Sequence, residues 1–122
     1  MTVTADALPI LDHARLNELA AELDSRSDAL DFAATFLQLL PHRIGVVAKS
    51  VEAGQAEAAH VALVSLAASA GTVGALQLEH EARHADQEIR AGHLSDARAL
   101  IPLLGRDAEA VAHALHKLLG RS

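Results

Sequence analysis

Apolar residues recur every three or four positions over most of the chain, and Gly, Ser and Asp divide the pattern into five helical segments. The first spans about 12–23, with Leu16, Leu19, Ala20 and Leu23 on one face and Asp12 placed as N-cap. Asp24, Ser25 and Ser27 break it and offer the next cap. The second spans about 28–53, and Leu30, Ala33, Ala34, Leu37, Leu40, Ile44, Val47, Ala48 and Val51 hold the helical period throughout. Pro41 falls inside it. Because the period continues on both sides, the spacing predicts one kinked helix rather than two. Gly54 ends this segment. The third spans about 55–70 and is followed by a bend at Gly71-Thr72-Val73-Gly74. The fourth, about 75–91, places Leu78, Ala82, Ala85 and Ile89 on one face, and Gly92 stops it. The fifth, about 95–119, carries Ile101, Leu104, Ala108, Val111, Leu115 and Leu118. Four long amphipathic helices with short connections imply a single all-α domain over 1–122. The expected architecture is an antiparallel up-down-up-down four-helix bundle, with the short N-terminal helix capping one end or lying along the side.

The third segment departs from simple amphipathicity. At about 100° per residue, Ala59, Ala62, Leu63, Leu66 and Ala70 make the expected core face. The opposite sector holds Glu57, His60, Val61, Val64, Ala67, Ala68 and Gly71, of which only Glu57 and His60 are polar. A helix apolar on all sides is covered on all sides. Either the first helix covers this stripe or a partner does. Its small side chains favour close approach of another helix.

The same segment resembles the histidine-containing phosphotransfer domain of bacterial phosphorelays. That family carries a helix reading Ala-His-x-Leu-Lys-Gly-Ser followed, after four intervening residues, by Gly-Ala. Here Leu66, Ser69, Gly74 and Ala75 stand in register with it. A short first helix, a long second helix containing a proline, the Gly54 turn and a helix from Leu76 to Ile89 fit the same layout. The resemblance implies a helical bundle that docks receiver domains. It also places Val64 where the family has its phosphoaccepting His, Ala67 where it has Lys, and Ala68 where it has Gly. Valine offers no nucleophilic nitrogen. The resemblance therefore implies a degenerate phosphotransfer domain: a non-enzymatic protein-binding module for a response-regulator receiver domain or a histidine kinase. The partner-binding residues it implies are His60, Val61, Val64, Ala67, Ala68 and Gly71.

Composition narrows the alternatives. The chain has 122 residues, 51% of them hydrophobic and 2% aromatic, with a net charge of −6 and no cysteine. Acidity argues against a nucleic-acid or anionic-membrane partner, and the lack of aromatics argues against base stacking. The uncharged run from Val61 up to Glu79 carries too many polar and Gly positions for a membrane span. The N-terminus lacks the basic and apolar regions of a signal peptide, so a cytoplasmic protein is expected, with no cofactor, as a monomer or weak homodimer. Three other readings remain on the sequence. His60, one turn before Val64, would serve as a displaced phosphoacceptor, although Glu57 beside it repels a phosphoryl group. The bundle would be purely structural and dimerise. Finally, His80-Glu81-Ala82-Arg83-His84 spells the H-E-x-x-H pattern of zinc hydrolases, with Glu109 as the conceivable third ligand. The remaining histidines read as solvated surface groups.

Overall fold

In a computed structural model, residues 7–120 are described. The expectation about a signal peptide rests on residues 1–6, outside that range. Five helices follow in order: α1 (His13–Leu23), α2 (Arg26–Glu52), α3 (Ala56–Val73), α4 (Leu76–Arg90) and α5 (Leu94–Leu118). Loops of three, two and three residues join α2 to α5 in sequence, which forces each helix to run antiparallel to the one before. α2 packs on α3, α3 on α4, α4 on α5 and α5 on α2, with no diagonal contact among the described residues. The result is the expected four-helix bundle.

The helices begin and end where local chemistry directs. Asp12 caps α1 by accepting from the Ala14 N–H, and Ser25 caps α2 by accepting from the Asp28 N–H, both at 3.0 Å. α2 therefore starts two residues before the position read from the sequence. It then runs unbroken through Pro41 to Glu52. The ring removes one backbone donor there, at a cost of about 3 kcal/mol in an isolated helix. Apolar contacts of Phe36, Leu37, Leu40, Val47 and Val51, all buried on the bundle side, hold the helix together on both sides of it.

α3 continues three residues beyond the expected end, so Gly71 lies inside a helix rather than in a bend. The true terminus is Gly74, in the left-handed region at φ 90°. The N-terminal segment closes on this terminus. The Asp12 N–H donates to the Gly74 carbonyl at 2.7 Å, Gln77 Nε2 donates to the Leu8 carbonyl at 2.7 Å, and Arg15 donates to the Gly71 carbonyl at 3.3 Å. α1 thus lies against α2 and the C-terminal part of α3, and Leu16 is its buried anchor. α3 is long and apolar enough by composition to match a membrane span. Its apolar character is used within the bundle, where Ala59, Leu63, Leu66, Ala67, Ala70, Gly71 and Val73 are buried.

Gly74 is the residue on which this docking depends, because a Cβ there would collide with the Asp12 carbonyl as well as strain the backbone. Gly74→Ala should destabilise the protein by about 1–3 kcal/mol, read as a lower urea midpoint. It should also speed amide exchange in α1 more than in α5.

Candidate functional site

The site is built on the outward side of α3. The six residues of the sequence stripe do not share one environment. Val61 and Val64 are 59% and 41% exposed, Ala68 is exposed and His60 is half-buried. Ala67 and Gly71 are buried, so these two are corrected from partner-binding residues to core residues. The cause is where α4 lies. His60 hydrogen-bonds to Asp86 of α4, and Gly71 leaves so little room that a Cβ would collide with the Glu79 carboxylate of α4. Ala67 lies within about 40° of both His60 and Gly71 around the helix and faces the same neighbour. The small residues let α4 approach closely; they are not a landing place for an outside helix. The core direction of α3 is correspondingly rotated toward α4, and Ala62, placed in the core by the sequence pattern, is only half-buried.

At the C-terminal end of the stripe Arg15 and Leu19 of α1 stand beside Ala68, Gly71 and Thr72, of which Ala68 and Thr72 stay exposed. The open part runs from the start of α3 to Ala68. Next to it, α2 and α3 frame an apolar groove of about 850 Å³ whose walls include His42, Val46, Glu57, Val61 and Ser65. Val61 and Val46 are its exposed apolar rims. Arg43 braces its floor by donating to Ser69 Oγ at 2.7 Å.

His60 has a partner that the sequence did not reveal. Its Nδ1–H donates to Asp86 Oδ1 at 2.7 Å, with the two side chains 34% and 11% exposed. This bond fixes the ring orientation, and in the neutral imidazole with the proton on Nδ1 the lone pair is on Nε2. Chemically, such a pair accepts a proton, a metal or an electrophile at Nε2. No Arg or Lys is bonded or ion-paired to either residue among the described residues. A phosphoryl group at Nε2 would therefore find no neighbouring cation held in place.

The H-E-x-x-H residues do not converge on a metal centre. Glu81 is buried in the bundle with Oε2 lacking a hydrogen-bond partner, while His84 is exposed and lies 3.9 Å from Glu88. Glu109 borders the groove between α2 and α5 together with Pro41 and His116, so it does not complete the set. Donor atoms that approach one another within 4.8 Å belong instead to Glu88, His93 and Asp96 at the α4–α5 corner, all at the solvent edge. Of the histidines read as solvated, His116 differs: it is half-buried and its Nδ1 is enclosed.

No family model and no curated protein matches the chain. Among solved structures, histidine-containing phosphotransfer protein B (HptB) from Pseudomonas aeruginosa PAO1 superposes with a TM-score of 0.83. The match covers 93% of this chain and 97% of that one at 23% identity. The chain has the fold of a histidine-containing phosphotransfer domain. Within this bundle Val64 stands exposed on the outward face of α3, toward its α4 edge, and Ala67 lies in the seam with α4.

That placement separates two neighbouring alanines. Ala67→Lys forces a long cation into the α3–α4 seam and should cost about 1–3 kcal/mol by overpacking, visible as a lower Tm. Ala68→Lys, one position on and exposed, should leave Tm nearly unchanged.

Proposed function

We propose that this chain is a phosphorelay docking module that binds a receiver domain or a histidine kinase through α3 without carrying phosphate itself. The observation that carries the reading is Val64: an exposed, unreactive side chain at the position where the family resemblance puts the phosphoaccepting His, on a face the fold leaves open. His60, Val61, Val64 and Ala68 form the contact, with the groove beside Val61 extending it toward α2. Ala67 and Gly71 contribute only by shaping the helix beneath. Association gains come from apolar burial of roughly 25 cal/mol per Å², less the cost of ordering two proteins. Such a module sequesters or scaffolds its partner in the cytoplasm and needs no cofactor.

The His60–Asp86 hydrogen bond favours one second reading. An imidazole with Nδ1–H held by a carboxylate presents a nucleophilic Nε2, one turn from Val64. In that case His60 is a displaced acceptor.

One experiment separates them. Receiver domains from the source organism, labelled by a radioactive small-molecule phosphodonor, are mixed with the chain. The docking reading expects binding without label transfer. It also expects Val64→Glu to weaken that binding by about tenfold or more, as a charge does at the centre of an interface, with Tm nearly unchanged. Label on the wild type that disappears in His60→Ala establishes the second reading. A large loss of Tm in Val64→Glu contradicts the exposed position on which the docking reading rests.

A further inference from the structure

Among the described residues, five of the seven large apolar side chains left exposed belong to α2 and α3. Three of them stand in one line along α2: Phe32, Leu39 and Val46, at 37%, 39% and 38% exposure. Their spacing is seven residues, which returns to nearly the same side of a helix. Asp28, Thr35, His42 and Lys49 fill the alternate positions of the same seam, and all are exposed. The buried residues Leu40 and Val47 lie about a quarter turn around the helix, and Phe36, also buried, borders the seam beside Phe32 and Leu39. This outer seam has a heptad pattern of its own.

The seam is also electrically polar. Its N-terminal end carries Asp28 and Asp31, and its C-terminal end carries His42 and Lys49. Among the described residues, Asp28, Asp31 and Lys49 make no ion pair within the chain. We infer that this seam pairs with the same seam of a second copy, antiparallel, about a two-fold axis near Leu39. On that axis Leu39 meets its own equivalent, and Phe32 lies over Val46 of the second copy, since both are seven residues from the centre. Asp31 is eight residues before Leu39 and Lys49 ten residues after it, on the same edge of the seam. The axis therefore brings Asp31 within about half a helical turn of Lys49 of the second copy, at about 1.5 Å per residue. Both ends of the dimer gain this pair. A parallel arrangement would set Asp against Asp and Lys against Lys. An anionic lipid surface meets the acidic end with repulsion. The closed two-fold contact uses one patch on both subunits. With three apolar residues per chain and polar alternates, it is a small interface, so the dimer dissociates on dilution.

Sedimentation velocity on the full chain, from micromolar to near-millimolar concentration, tests this. The weight-average mass should climb from that of one chain toward that of two. Leu39→Glu should hold it at one chain throughout, with helical circular dichroism and Tm unchanged. Lys49→Glu should shift the midpoint to higher concentration by severalfold, and adding Asp31→Lys should bring it back, because the reversed pair restores opposite charges across the axis. Val64→Glu lies on α3, outside the α2 seam, and should leave the mass curve unchanged; His42 and Val46 line both the seam and the groove beside Val61, so Leu39, outside that groove, carries the dimer test. A chain that stays monomeric at every concentration overturns the inference. So does a dimer indifferent to Leu39→Glu, or a double charge reversal that does not restore association. A receiver domain whose binding requires Leu39 while the free chain remains monomeric assigns the seam to that partner instead, and likewise overturns it.

Discussion

The close approach of α4 to α3 is the constraint on which the rest of the structure depends. Ala67, Ala70 and Gly71 keep that seam narrow, and two polar contacts mark its edge: Asp86 on His60 and the Glu79 carboxylate over Gly71. Close packing at protein density makes such a seam intolerant of added volume. It rotates the core side of α3 toward α4 and so decides which of its residues face outward. The open face is therefore Val61, Val64 and Ala68 rather than the whole apolar stripe. The α3–α4 turn then receives the N-terminal segment at Gly74, and α1 stands beside the C-terminal end of the same face.

The proposed docking rests on what the outward face of α3 carries. That face is apolar and small, with Val61, Val64 and Ala68 exposed on it. A valine at such a position costs the fold little, since an exposed apolar residue is ordinary. On the proposed reading it also removes the nitrogen on which covalent transfer would depend. What remains is shape: a shallow apolar surface between a half-buried His60 and the groove along α2. The proposed docking needs only that shape.

Much of this was legible in the sequence because it depends on local rules. The three-four period gave all five helices, and Gly54 and Gly92 marked turns where they occur. α2 read correctly through Pro41 because the apolar period did not change phase there. The errors fall where tertiary contacts decide. Gly71 reads as a bend because Gly-x-x-Gly is a breaker pattern, yet the helix continues to Val73 and Gly71 sits inside it, where a Cβ would collide with Glu79. Ala67 looked like surface because alanine carries little pattern information, and the direction of α4 around α3 is not written in α3. Asp86 could not be paired with His60 for the same reason: the two are 26 residues apart, and only the bundle brings them together. The H-E-x-x-H spacing was real, but burial turns Glu81 away from the solvent-facing histidines.

The claim that α3 binds a signalling partner by shape alone is tested most directly by nuclear magnetic resonance. The uniformly labelled chain is titrated with a phosphorylated receiver domain while amide shifts and phosphorus signals are followed together. The account predicts that shifts concentrate at His60, Val61, Val64, Ser65 and Ala68, and that no phosphohistidine signal grows in. Shifts confined to α5, or a phosphohistidine resonance that appears as the receiver loses its phosphate, would contradict it.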